Sequence, residues 1–257
     1  MTFAVAAQSY ERFMGRYSAE LAPELVAFAG IEPGMRALDV GCGTGSLTAA
    51  LAERSGAGNV AASDPSEPLL GACAERVPGV DARLASAGRL PWPDASFDAV
   101  VSQLVLNFLP DARAGIDEMR RVVRPDGVVA SCTWDYADGM QMLRVFWDAA
   151  LELDPAAPDE GRVMRLCSEP ELTDLWRSQG LLDVETAPLE IETTHPSFAD
   201  YWGAFTLGVG PAGAYCESLD PERLEKLRQA CDRRLGSPTG SFTLRARAVA
   251  VRGRRPG

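Results

Sequence analysis

The strongest constraint on the fold lies in eight residues, LDVGCGTG at positions 38–45. Residues 35–40 predict a short buried strand and residues 46–53 predict a helix, so three alternate glycines fall in a tight strand-to-helix turn. Glycine tolerates positive φ, and because it lacks Cβ it lets main-chain N–H groups and a helix start come close to a bound molecule. This stretch therefore predicts an α/β fold with a ligand-binding turn.

The chemistry of the turn is indicated by its spacing, which differs from the G-x-G-x-x-G of dinucleotide folds. A carboxylate beside the turn repels a pyrophosphate and suits a ligand with an amino group. The run resembles the first motif of the class I S-adenosylmethionine-dependent methyltransferases. This resemblance implies S-adenosyl-L-methionine as the cofactor, with its amino acid portion held by Asp39, Gly41, Cys42, Gly43 and Gly45.

Length and composition limit the class of protein. A chain of 257 residues can form one large α/β domain. Its net charge of −11 disfavours binding to nucleic acid backbones or anionic membranes. The longest apolar stretch, residues 99–109, is shorter than the roughly 20 residues of a membrane span, so we expect no membrane insertion.

The number and spacing of the cysteines and the single histidine indicate whether the chain binds zinc and in which redox compartment it lies. Six cysteines are scattered without a C-x-x-C pair and the chain has one histidine, so a zinc site is not expected. Together with the lack of a basic region before the apolar residues 3–7, this favours a reduced, cytoplasmic protein. The oligomeric state is left open by the sequence.

Asp64 is the candidate ribose ligand. A second strand at residues 59–63 ends at this residue, about 20 residues beyond the glycines, where α/β nucleoside binders place a carboxylate for the ribose hydroxyls. Asp64 could instead cap the next helix, since Pro65 suits its first position. Both roles are compatible, and we count Pro65 and Ser66 with the cofactor-binding residues.

The adenine position follows a third strand at residues 80–84. Methyltransferases of this type carry an Asp-Ala pair there, in which the acid accepts from the adenine amino group. Here Ser86 replaces the acid, so that contact loses its charge, while Ala87 keeps the main-chain contact.

Residues 90–111, LPWPDASFDAVVSQLVLNFLPD, resemble methyltransferases related to those of quinone biosynthesis. The resemblance puts Gln103 at the methionine part of the cofactor or the reaction channel, and Asn107 at the substrate. Gln103 could instead start a helix and face solvent.

The N-terminal segment YERFMGRYS, residues 10–18, resembles the part of such enzymes that covers the cofactor. Its aromatic residues follow helical spacing, so the alternative is a helix that only packs on the domain. As a lid, the segment implies Tyr17 at the cofactor and Tyr10 and Phe13 at the substrate.

The second half of the chain is predicted to specify the substrate. Tyr201 is a candidate substrate contact, and His195 is the candidate general base because only its pKa is ordinarily near neutrality. The alternative for His195 is a residue of a surface turn. Residues 241–251 alternate in polarity and predict an exposed edge strand.

Taken together, the resemblance implies a Rossmann-like, doubly wound, mostly parallel seven-stranded sheet with an antiparallel last strand and helical insertions on the substrate side. We expect a single domain over 1–257, with a lid at 1–30, a cofactor-binding core at 31–134 and a substrate-specifying half at 135–257. The implied reaction moves a methyl group to a small organic acceptor by direct displacement. A non-catalytic cofactor-binding module and an NAD(P)-dependent oxidoreductase are the alternatives.

Overall fold

A computed structural model describes residues 11–257. Within this range the strands form one seven-stranded sheet in the order β3-β2-β1-β4-β5-β7-β6, in which β7 is antiparallel. This confirms the predicted sheet and its antiparallel last strand. The strands are β1 (Ala37–Val40), β2 (Val60–Asp64), β3 (Asp81–Leu84), β4 (Phe97–Gln103), β5 (Val123–Trp134), β6 (Leu182–His195) and β7 (Phe242–Arg254).

Single α-helices follow β1, β2 and β4, whereas β3 leads to β4 without a helix; three α-helices lie between β5 and β6 in the sequence and three lie between β6 and β7. A π-helical segment, Glu11–Gly15, precedes the first α-helix, and short 3-10 segments occupy Ala57–Asn59 and Leu106–Phe108. The α-helices are α1 (Arg16–Phe28), α2 (Ser46–Ser55), α3 (Glu67–Arg76), α4 (Ala112–Val122), α5 (Gln141–Leu153), α6 (Glu160–Val163), α7 (Glu169–Ser178), α8 (Phe198–Phe205), α9 (Gly210–Ser218) and α10 (Pro221–Arg234).

The chain divides into two compact units. The core unit comprises residues 18–133, 165–189 and 248–257, and the helical unit comprises the remaining described residues. In the core unit, β1 pairs in parallel with both β2 and β4, and β4 pairs in parallel with β5. The carboxyl ends of these strands therefore lie at one edge of the sheet, where α/β folds bind their ligands.

The core unit is held together by an apolar layer against the sheet. Helix α4 is capped by Asp111, whose side chain accepts a hydrogen bond from the Ala114 N–H at 3.1 Å. Its buried side, with Ile116 and Met119, packs in one cluster with residues of β1, β4 and β5. Strand β4 is almost wholly buried, as a strand covered on both faces should be.

The helical unit has an aromatic interior. The ring of Phe146 on α5 stacks on Phe205 of α8 with centroids 4.4 Å apart and meets Trp147 edge-on at 5.0 Å. The Trp147 indole N–H donates to the carboxylate of Glu160, 2.8 Å away. The buried face of α5 is apolar, and the burial of its aromatic side chains stabilises this unit.

The prediction of an exposed edge strand at residues 241–251 is wrong. Strand β7 lies inside the sheet between β5 and β6, and β6 forms the edge. Residues 248–251 are consecutively buried, which an internal position explains. No helix among residues 11–257 combines the length and the apolar character that a membrane crossing requires.

Candidate functional site

The glycine turn, residues 41–45, has the backbone that the sequence predicts. Gly41, Gly43 and Gly45 have φ values of 77°, 54° and 88°, in the left-handed region that strains other residues. The N–H groups of Gly41 and Cys42 both donate to the carbonyl oxygen of Ser63, at 2.7 and 2.9 Å. The turn is thereby fixed against the carboxyl end of β2.

The three glycines have different surroundings. A Cβ on Gly41 would lie 2.6 Å from Cγ2 of Val105, and one on Gly45 would lie 3.0 Å from Sγ of Cys73. A Cβ on Gly43 would meet no atom within 4 Å. Gly41 and Gly45 thus allow close packing within the protein, whereas the open side of Gly43 is where a ligand can approach the backbone.

The carboxylate of Asp64 joins the turn to the start of the next helix. Its Oδ2 accepts from the Gly43 N–H at 2.9 Å and its Oδ1 accepts from the Ser66 N–H at 2.8 Å. Burial raises the pKa of Asp64, while these N–H groups lower it. The N-cap position of α3 is Ser66 and not Asp64. Each oxygen of Asp64 keeps a lone pair with which to accept a ligand hydroxyl.

Asp39 lies buried at the end of β1. Its Oδ2 accepts from the Thr48 hydroxyl at 2.6 Å, and its Oδ1 has no hydrogen-bond partner among the described residues. Burial raises the pKa of Asp39 well above its usual range, and the nearby Cys73 and Asp64 raise it further. An unpartnered buried carboxylate oxygen is costly, so it fits a site that receives a cationic ligand.

The residues predicted to contact the adenine, Ser86 and Ala87, lie beyond β3. The Ala85 N–H donates to the carbonyl oxygen of Asp64 at 3.1 Å, which ties this loop to the end of β2. Ser86 is exposed and Ala87 is buried. Leu84, 58% exposed, pairs in register with Asp64 and adds an apolar surface that the sequence reasoning missed. The sequence signal that could have identified Leu84 is its place at the end of the predicted third strand, next to the predicted adenine contacts.

Gln103 ends β4 and is half-buried, not solvent-facing. Its Nε2 donates to the carbonyl oxygen of Ser18 at 2.9 Å, while its buried Oε1 has no partner in the described part of the chain. Asn107, the predicted substrate contact, lies in the 3-10 segment that follows β4. Pro65, counted with the cofactor-binding residues, is exposed and follows Asp64 directly. The amide of Gln103 therefore retains an unused acceptor, and its contact with the cofactor stays a prediction.

In the helical unit the structure brings Tyr17 and His195 together. The Tyr17 hydroxyl lies 2.9 Å from Nε2 of His195, and Nδ1 of His195 lies 3.2 Å from Oδ2 of Asp200. Arg16 forms an ion pair with Asp200 at 2.8 Å. Burial lowers the pKa of His195 and raises that of Tyr17 to about 12.

His195 is 2% exposed, so the alternative of a surface turn residue is wrong. Both of its ring nitrogens already have partners within the helical unit. Its role as general base stays a prediction. In this arrangement His195 would act through the Tyr17 hydroxyl.

The other predicted substrate contacts are aromatic. Phe13 meets Phe205 edge-on at 5.8 Å, and the buried Tyr201 donates its hydroxyl to the carbonyl oxygen of Met142 at 3.0 Å. Tyr10 lies outside the described residues. Among residues 11–257 no cluster of His, Cys, Asp and Glu could hold a metal ion.

The residues of the core unit fit S-adenosylmethionine. The open side of Gly43 allows close approach, Asp64 offers two acceptor oxygens, and the unpartnered Oδ1 of Asp39 suits a positively charged ligand. With the sheet order, these features are typical of the cofactor-binding core of class I S-adenosylmethionine-dependent methyltransferases.

Comparison with known proteins supports this class. Residues 38–131 match the family model described as a methyltransferase domain. A demethylmenaquinone methyltransferase of Mycobacterium sp. (strain KMS) is 46% identical over 110 residues, which cover 42% of this chain and 46% of that protein. The chain thus spans about half the length of the curated relatives it matches.

Solved structures share the fold over nearly the whole chain. A methyltransferase from Bacillus halodurans, itself assigned only putatively, has a TM-score of 0.59 at 17% identity, covering 92% of this chain and 99% of that one. A Haemonchus contortus phosphoethanolamine N-methyltransferase in complex with S-adenosyl-L-methionine has a TM-score of 0.57 at 17% identity, covering 98% of this chain and 57% of that one. At these identities the likeness concerns the fold alone.

Proposed function

We propose that the protein transfers the methyl group of S-adenosylmethionine to a small organic acceptor by direct displacement. One observation carries the proposal: the open side of Gly43 adjoins the Asp64 carboxylate, whose oxygens each hold a main-chain N–H and retain accepting capacity. This arrangement suits a ligand that combines a ribose with a charged amino acid portion.

The core unit supplies binding and orientation. Asp64 would accept the ribose hydroxyls, and Ser86 and Ala87 would contact the adenine. Asp39 would balance the positive charge, because a cationic ligand favours the ionised form of a buried carboxyl group. When bound, the cofactor supplies an electrophilic methyl group on a sulfonium. The protein then has to align the acceptor with that methyl group, and such alignment lowers a barrier by roughly 7–11 kcal/mol.

We propose a small, apolar organic molecule as the acceptor on three grounds: the net charge of the chain, the aromatic packing of the helical unit and the names of the relatives. The net charge of −11 disfavours nucleic acid, and the aromatic residues of the helical unit suit an apolar organic molecule. Several relatives are named demethylmenaquinone methyltransferases, which supports a quinol as the first acceptor to test. None of the six cysteines forms a disulfide, which supports a reduced compartment such as the cytoplasm.

The test has two stages. Calorimetry first measures binding of S-adenosylmethionine and S-adenosylhomocysteine to the purified chain. An assay of S-adenosylhomocysteine release then compares a demethylmenaquinol, phosphoethanolamine and small phenols as acceptors. The absence of cofactor binding would refute the proposal, and binding without release for any acceptor would favour a non-catalytic binding module. A change in NADH fluorescence on adding protein would favour the oxidoreductase alternative.

The role of His195 is tested in the same assay. We propose that neutral His195 accepts a proton relayed through the Tyr17 hydroxyl, because its Nε2 lies 2.9 Å from that oxygen. The variant His195→Ala is then expected to lower turnover and to change its pH profile. Unchanged turnover and an unchanged profile would show that His195 has only a structural role.

A further inference from the structure

Two thiols meet beside the glycine turn. Cys42 lies in the turn itself, and Cys73 lies on α3, 31 positions later in the sequence. The two side chains pack in one buried cluster with Ala62, and the Cys42 thiol donates to the carbonyl oxygen of Gly43 at 3.7 Å. Cys42 is 7% exposed and Cys73 is fully buried, so a small reagent would reach the pair from the side of Cys42.

The pair also continues into the carboxylate network of the site. The Cys73 thiol donates to Oγ1 of Thr48 at 3.3 Å, and the Thr48 hydroxyl donates to Asp39 at 2.6 Å. The neighbouring thiol of Cys42 lowers the pKa of Cys73 to about 7, and the interaction with Cys73 together with burial raises the pKa of Cys42. Cys73 is therefore the thiol of the pair that ionises near neutral pH.

We propose that Cys42 and Cys73 are a reversible oxidation site at which a disulfide closes the cofactor-binding turn. The oxidant is a hydroperoxide small enough to enter beside the turn, such as hydrogen peroxide. This inference rests on the proposed function, because the turn is the cofactor seat there.

The chemistry balances within the pair. The Cys73 thiolate attacks the peroxide, the O–O bond breaks, a sulfenic acid forms on Cys73, and the departing hydroxide takes up a proton and becomes one water. The sulfur of Cys42 then attacks the sulfenic sulfur, the S–S bond forms, and the hydroxyl leaves as a second water with the Cys42 thiol proton. Two thiols are oxidised by two electrons in total while one hydrogen peroxide is reduced to two waters.

Closure disturbs the turn because its neighbours leave little room. A disulfide needs sulfurs about 2.05 Å apart, much closer than two thiols that only pack together. A Cβ at Gly45 would already lie 3.1 Å from Cα of Cys73, and one at Gly41 would lie 2.6 Å from Val105. The turn cannot follow Cys42 inward without moving Gly43, whose N–H bonds Asp64. We therefore expect oxidation to weaken cofactor binding.

The experiment uses the full chain with hydrogen peroxide, S-adenosylmethionine and dithiothreitol. Trypsin cleaves after Arg36, Arg54 and Arg76, so Cys42 and Cys73 fall in the separate peptides 37–54 and 55–76, each with a single cysteine. A disulfide joins these peptides with a loss of two hydrogens, which mass spectrometry distinguishes from oxygen addition. Calorimetry measures cofactor affinity before peroxide, after peroxide and after reduction.

We expect peroxide to link the two peptides, to weaken S-adenosylmethionine binding at least tenfold, and to be reversed by dithiothreitol to within twofold. Saturating cofactor should slow the linkage because it covers the turn. The variant Cys73→Ser keeps a donor for Thr48 and should retain affinity after peroxide. Cys167→Ser, which removes a partly exposed thiol elsewhere in the core unit, should behave as wild type.

Peroxide-treated protein without the linked peptides, or with them and with unchanged affinity, would overturn the proposal. If Cys73→Ser does not fold, reversal by dithiothreitol in the wild type still decides between the outcomes. Reduced protein that fails to bind S-adenosylmethionine would instead overturn the proposed function, and peptide mapping would still report whether the disulfide forms.

Discussion

Replacing Asp64 with asparagine tests the central contact of the site. The substitution keeps the size of the side chain but replaces one oxygen with an NH2 group and removes the charge. In the wild type the two oxygens accept the N–H groups of Gly43 and Ser66 at 2.9 and 2.8 Å. The single side-chain oxygen of asparagine can accept from one of these N–H groups and from one of the two ribose hydroxyls. The second N–H group and the second hydroxyl are then left without an acceptor.

The magnitude follows from the lost hydrogen bond. A hydrogen bond to a charged group contributes about 1.5–3 kcal/mol. Loss of one bond to a ribose hydroxyl should therefore weaken S-adenosylmethionine binding by a factor of roughly 10 to 140, since about 1.4 kcal/mol corresponds to tenfold. The main-chain N–H left without an acceptor should lower stability by about 1–3 kcal/mol.

Calorimetry and thermal melting measure the two effects separately. Asp98→Asn is the matched control, because Oδ2 of Asp98 also accepts a main-chain N–H, from Arg36 at 2.6 Å, but at the amino end of β4. We expect it to lose stability while keeping its affinity for S-adenosylmethionine. Unchanged affinity in Asp64→Asn, or equal losses in both variants, would refute the assignment of Asp64 to the ribose.

Two further predictions concern the turn and the helical unit. Gly43→Ala should fold, because its Cβ meets no atom within 4 Å, and should lose cofactor affinity; Gly41→Ala, whose Cβ would lie 2.6 Å from Val105, should lose more stability. Melting and calorimetry check this order, and a reversed order of stability would contradict it. Burial raises the pKa of Glu160 from 4.5 to about 7, so the stability that this group contributes below pH 4.5 is lost as the pH rises through 7. Glu160→Gln, which still accepts from Trp147, should therefore gain about 3 kcal/mol relative to wild type between pH 4.5 and pH 8, and melts that show a constant difference across this range would exclude the reasoning.

The strand-turn-helix unit and the positions of Asp39 and Asp64 could be predicted because they depend on local chemistry. Glycine alone adopts the three left-handed conformations readily, and a short apolar strand followed by such a turn leaves few alternatives. The parallel sheet and its antiparallel last strand were implied by resemblance, and the structure confirms them.

Long-range pairing could not be predicted in the same way. Strand β7 has an alternating pattern at its start that indicates an edge, yet it lies between β5 and β6. The residue pattern of a strand does not indicate which strands will pair with it on each side, because those partners come from distant parts of the chain.

The sequence by itself determined the conformation of the glycine turn, since it follows from residue types at fixed spacing. Only the tertiary structure decided that Cys42 packs in one cluster with Cys73 and that Tyr17 meets His195, 178 residues later in the chain. These pairs depend on how helices pack on a sheet, and packing follows the shape and burial of many side chains together. A hydrogen bond between residues far apart in sequence therefore leaves no pattern in either local segment.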